Sequence, residues 1–161
     1  IVEGASMFKS LFGYTPNSFV PPNGMFHPDF EQSVKSAGIS ALSVNSTMSI
    51  PDGKGGVSYK KTYFSKVNND GLLIYMRNCA FETASESYKG IDQTMKQIGA
   101  AFFWNKPAII STHRVNFVGG LDLGNRDKGI QELDALLYGI KKKWPEVEFM
   151  STKEYVQLYL R

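Results

Sequence analysis

The 161-residue sequence has a single cysteine, Cys79, and only two histidines, His27 and His113. One cysteine excludes an intrachain disulfide and any zinc site built on a cysteine cluster. The two histidines stand far apart and neither has the short pair spacing of a metal motif, so no metal or other cofactor is expected within this chain. Long apolar runs are missing as well. None approaches the ~18 residues of a membrane span, and no stretch reads as a signal peptide. The net charge of +3 is small and evenly spread, without the basic stripe of a nucleic-acid binder. There is no internal repeat and no low-complexity tract. Localisation stays open between cell envelope, secretion and cytoplasm. The chain does not begin with Met and opens inside a helical pattern, which reads as a processing boundary or a piece of something longer.

What is there suits one domain, residues 1–161, with a core of its own. Hydrophobic residues make up 42%, and aromatics are plentiful (Tyr 8, Phe 11, Trp 2). Val2, Ala5, Phe8, Leu11 and Phe12 recur at helical spacing, with Gly13 as the stop. Ser18–Val20 reads as a short strand running into Pro21-Pro22-Asn23-Gly24, a sharp loop. Pro28 opens a helix that turns Phe30, Val34 and Ala37 inward and ends at Gly38. Ile39–Val44 is the next strand. Pro51–Gly56 reads as an exposed loop, and Tyr59–Val67 as a hairpin or an extended excursion. Leu72–Met76 is a further strand ending on Arg77 and Asn78. A helix is expected over Tyr88–Trp104. After a glycine-rich loop, Val118–Arg126, comes a long amphipathic helix with Ile130, Leu133, Leu136, Leu137, Ile140 and Trp144 inward. Lys141–Lys143 close that helix, where cations favour its dipole. Val147–Met150 is expected as a last strand, and Ser151 with Glu154 forms a capping box for a terminal helix.

The alternation of strand and helix predicts an α/β fold, with parallel strands and flanking helices. About five strands are countable, fewer than the eight of a complete β/α barrel, so the sheet is either open or a partial barrel.

The stretch of greatest chemical interest is Lys106–Phe117. Pro107–Thr112 reads as a buried strand, and it ends on His113, Arg114 and Asn116. Carboxyl ends of parallel strands are where such folds place their ligands. His113 is therefore the candidate catalytic residue, its imidazole suited to proton transfer near neutral pH. Arg77, Asn78, Asn23, Arg114 and Asn116 are candidate substrate-binding residues. Arg114 and Asn116 would also serve to pin the glycine-rich loop, and Glu82 is close enough in sequence to pair with Arg77. His27, just before a helix, fits a local capping role, and Cys79 that of a buried, inert thiol.

Four segments, 18–39, 68–82, 104–117 and the ending from Leu136, together resemble the carboxyl-terminal part of the polysaccharide deacetylase family, carbohydrate esterase family four. That resemblance implies a partial, distorted seven-stranded β/α barrel. It also implies removal of N- or O-acetyl groups from a polysaccharide, with Ile109 and His113 fitting the family's last motif and His113 as general acid. The family's divalent metal site, and the aspartates and histidines that make it, would lie upstream of this chain. The remaining barrel segment, or self-association, would cover the open side. Val20 stands where the family has an arginine beside its Pro-Pro loop. Two other readings stand beside this one: a non-catalytic carbohydrate-binding or inactive barrel, and a glycosidase using Glu82 or Glu86 with an aspartate.

Overall fold

A computed structural model describes residues 1–62, 65–120 and 122–160. The chain divides into two compact units, Ile1–Met76 with Met150–Arg161, and Arg77–Phe149. It is a mixed α/β fold. Among the described residues there are five α-helices and a sheet containing parallel strands.

The first unit opens with α1, Val2–Phe12, which ends where Gly13 takes a left-handed φ of 78° and donates its N–H to Lys9 O. A residue with a β-carbon resists that conformation, so the glycine sets the stop. Strand β1, Ser18–Phe19, is short because Pro21 and Pro22 cannot extend it; Pro22–Gly24 forms a 3-10 turn instead. A second 3-10 turn, Pro28–Phe30, leads into α2, Glu31–Ser36. Its Val34 is buried, whereas Phe30, expected inward, is exposed: the 3-10 turn rotates it off the helix's inner face. Strand β2, Ala41–Val44, is buried at all four positions, as a strand covered on both faces must be. An antiparallel hairpin follows, β3 Thr47–Pro51 with β4 Val57–Lys61. The loop from Pro51 is its exposed tip, where Asp52 Oδ1 accepts from the N–H groups of Lys54 and Gly56 (both 2.8 Å). The hairpin thus lies earlier than the expected Tyr59–Val67, and Tyr63 and Phe64 of that stretch lie outside the described residues.

Strands β5, Lys66–Val67, and β6, Leu73–Met76, complete a sheet of order β1-β2-β6-β5. The β1–β2 and β2–β6 pairs are parallel, and β5 adds an antiparallel edge. Leu42, Val44, Leu72 and Ile74 pack with Val34, Ile39, Phe26 and Met48 in one core. Each fully buried leucine there contributes roughly 1.5–3 kcal/mol. The last helix, α5 Thr152–Tyr159, has the capping box that Ser151 and Glu154 promise. It is moored by Tyr155, whose hydroxyl meets Ser65 Oγ at 2.6 Å and whose ring packs edge-on against Tyr75.

The second unit holds β7 Cys79–Ala80, α3 Ile91–Phe103, β8 Ile110–Ser111, a 3-10 turn Arg114–Phe117 and α4 Leu123–Lys143. Strands β7 and β8 pair in parallel. Cys79, Phe81, Ile98, Leu136 and Ile140 form the core.

Several expectations need correction. The Pro107–Thr112 run is not a buried strand: only Ile110 and Ser111 pair, and both are half-buried. Val147–Met150 forms no strand, because strand-prone residues need a partner edge and none takes them up. The glycine-rich loop is shorter than expected, since Asp122 caps α4 through Gly124 N–H; Leu121 lies outside the described residues. Ile130 and Leu137 are exposed on α4. Leu136 and Ile140 are buried as expected, and Gly129 joins them on the buried face. Among the described residues no sheet closes into a barrel.

Candidate functional site

The register of β7 and β8 builds the site. Ala80 stands opposite Ser111 in a parallel ladder, and Phe81 N–H extends it by donating to Ser111 O at 2.9 Å. Two residues beyond each strand end, Glu82 and His113 leave the ladder together. His113 Nδ1 lies 2.7 Å from Glu82 Oε1. An ionised carboxylate only accepts hydrogen bonds, so when Glu82 is ionised the contact requires the proton on Nδ1 and leaves Nε2 open. The His113 side chain is 66% exposed and that of Glu82 22%.

Asn116 closes the site from beneath. It sits in the 3-10 turn, fully buried, and its Nδ2 donates to Glu82 Oε2 at 2.9 Å. The same amide group faces His113 O at 2.9 Å, Thr112 Oγ1 at 3.0 Å and, more distantly, Phe81 O at 3.4 Å. Its Oδ1 accepts from Ala84 N–H at 2.9 Å. Helix α4 holds both the turn and the segment after β7: Asn125 Nδ2 donates to Val115 O in the turn, and Lys128 Nζ to Thr83 O beyond Glu82 at 3.2 Å. Gly129 lies so close to Asn116 O that a β-carbon would collide with it. Both oxygens of Glu82 thus meet donors, one from an exposed imidazole and one from a buried amide.

The other expected residues are placed as follows. Asn78 ties the two strands: its Nδ2 donates to Pro107 O at 2.9 Å and its Oδ1 accepts from Ile109 N–H at 2.7 Å. Arg77 is half-buried just beyond β6 and Arg114 is exposed at the first position of the 3-10 turn. Neither makes an ion pair among the described residues. The pairing of Glu82 with Arg77 is therefore corrected: Glu82 turns to His113 and Asn116, which the parallel register delivers. Asn23 belongs to the first unit, exposed in the Pro22–Gly24 turn with φ 52°. His27 acts locally as expected, its Nδ1 accepting from Asp29 N–H at 3.2 Å. Burial pushes the Cys79 thiol up to about 11, in keeping with an inert group. Among the described residues no group of three His, Cys, Asp or Glu is placed to hold a metal ion.

Sequence reasoning reached Glu82, His113 and Asn116 singly and missed their convergence. Glu82 and His113 follow β7 and β8 at the same offset, but Cys79–Ala80 does not read as a strand in the sequence, so no local signal joined the two. It also missed Gly129, a glycine inside a helical pattern, which marks a close approach or a cap.

Comparison with known proteins corrects the family. No curated protein and no solved structure matches the chain. The Glycosyl hydrolase family 57 model matches residues 1–89, a stretch that includes Glu82 and stops short of His113. This overturns the resemblance to polysaccharide deacetylases, and with it the expected deacetylation and the role of His113 as acid at a departing amine. Polar residues at strand ends, which carried part of the resemblance, are a feature that β/α folds share. More than half of the chain lies within the match, and the chain belongs to glycosyl hydrolase family 57.

Proposed function

We propose that this chain serves hydrolysis of a glycosidic bond in a carbohydrate, with Glu82 as a reacting carboxylate and His113 beside it. The observation that carries the reading is the double hold on Glu82, by His113 Nδ1 on Oε1 and Asn116 Nδ2 on Oε2. Glycosidic cleavage uses two carboxyl groups about a cationic, oxocarbenium-like transition state; one protonates the departing oxygen, and the other attacks the sugar or supports its positive charge. A carboxylate whose oxygens both accept hydrogen bonds suits the second role, since it offers electrons rather than a proton. Glu82 is accordingly the nucleophile in this scheme. The acid falls to another Asp or Glu across the sugar ring.

His113 orients Glu82 and faces solvent, where a sugar would lie. Arg77 and Arg114 are proposed to bind sugar hydroxyls; within the first unit taken by itself, Asn23, whose amide makes no hydrogen bond among the described residues, is proposed as a separate sugar contact. Asn116 holds the rim from within, while Asn78 ties the two strands at their opposite, amino ends. The parallel β1-β2-β6 ladder supports a further proposal, that these strands belong to a distorted seven-stranded β/α barrel that this chain forms in part. The test is Glu82→Gln in the complete polypeptide, assayed on a panel of aryl glycosides. Turnover should fall about 10³-fold or more with the fold intact; an unchanged rate on every hydrolysed substrate overturns the assignment.

A further inference from the structure

Asn116 offers no surface to a sugar, since it is fully buried, yet it touches the carboxylate that the reading above places at the reaction. An amide NH₂ has two protons, and of the acceptors around Asn116 Nδ2 only Glu82 Oε2 carries charge. Charge-assisted hydrogen bonds are the shorter and stronger kind. The orientation of the amide is fixed by its other end, because Oδ1 receives Ala84 N–H. A flipped amide would set an oxygen against Glu82 and an N–H₂ against a donor. Without Asn116, the flexible Glu82 side chain would keep one tie, to a histidine that is two-thirds exposed.

We infer that Asn116 is a positioning residue for Glu82: it fixes the carboxylate so that Oε1 meets His113 and the same edge faces the substrate. The inference rests on Glu82 as the reacting group. Asn116 acts through Glu82 alone and leaves ground-state sugar contacts to other residues. The hold is a matter of donor and acceptor rather than of shape. The nearly isosteric Asn116→Asp would put carboxylate against carboxylate at hydrogen-bond distance.

The experiment uses the complete polypeptide with ¹⁵N-labelled histidine. In the parent, His113 shows the Nδ1-protonated tautomer. In folded Asn116→Asp that signature is lost, and kcat on an aryl glycoside falls about 10²-fold while KM changes little. A residue that merely held the turn would leave the His113 spectrum as it was. The double variant Asn116→Asp with Glu82→Gln exchanges amide and carboxylate. It should recover part of the melting temperature lost by Asn116→Asp and none of the turnover. A folded Asn116→Asp with the parental His113 spectrum and kcat overturns the inference. If the single variant does not fold, failure of the double variant to regain stability overturns it. Retained turnover in Glu82→Gln alone would strike the glycosidase role of Glu82, and the His113 spectrum would still decide whether Asn116 positions it.

Discussion

Gly129 of α4 faces the carbonyl oxygen of Asn116 with no room between them for a β-carbon. Glycine inside a helix costs about 1 kcal/mol relative to alanine. Here that cost lets the helix lie directly on the turn that carries Asn116, and so supports the carboxylate above it.

Gly129→Ala should therefore destabilise the protein although it improves helix propensity. The gain is ~1 kcal/mol, against about 1–3 kcal/mol for overpacking, and the obstructing atom is backbone, which cannot rotate aside. Gly139, on the same helix, is the control: a β-carbon there would meet only Met95 Cε and Sδ at 3.6 and 3.7 Å. Thermal denaturation should show Gly129→Ala melting lower than the parent and Gly139→Ala unchanged or higher. Equal melting of the two variants would contradict the close-approach account.

The local devices were legible because one or two residues set each of them. Gly13 ends α1, Pro28 opens the turn before α2, and Ser151 with Glu154 caps α5. Parallel pairing in general was legible through the long helical crossovers, but the strand Cys79–Ala80 was not. Pairing across distance was less so. The Pro107–Thr112 run is strand-like in composition, but only two of its residues, Ile110 and Ser111, form ladder pairs with β7. Val147–Met150 is equally strand-like and meets no partner. Glu82 sits 31 residues from His113, and nothing local says that the two strand ends share a register.

Acid should loosen α5 through Glu154. Its carboxyl is held below the usual carboxylate value of 4.5, first by the Ser151 N–H and then by the Ser151 hydroxyl. A carboxyl whose folded pKa is depressed contributes stability above its ordinary value and loses it as pH falls through the folded one. The melting temperature of the parent should thus decline on acidification below 4.5, and Glu154→Gln should lose less over the same range. Parallel acid profiles for the two proteins would remove Glu154 as the cause.

Cys79 should resist alkylation in the native protein. The thiol is buried and its pKa is raised to about 11 by desolvation, so the thiolate that reacts is scarce at neutral pH. Mass spectrometry after iodoacetamide treatment at pH 7.5 should find Cys79 unmodified when folded and fully modified in guanidinium. Rapid labelling of the folded chain would show that the thiol is open to solvent.

The central claim, that Glu82 attacks the sugar, is tested most directly by trapping. An activated 2-deoxy-2-fluoro glycoside of a sugar that the complete polypeptide hydrolyses slows breakdown of a glycosyl-enzyme relative to its formation. Peptide mapping of the inactivated protein should place the fluorosugar on Glu82, with His113→Ala slowing its capture by about 10-fold or more as the carboxylate loses its partner. A fluorosugar carried by a different Asp or Glu, with Glu82 unmodified, would contradict the account.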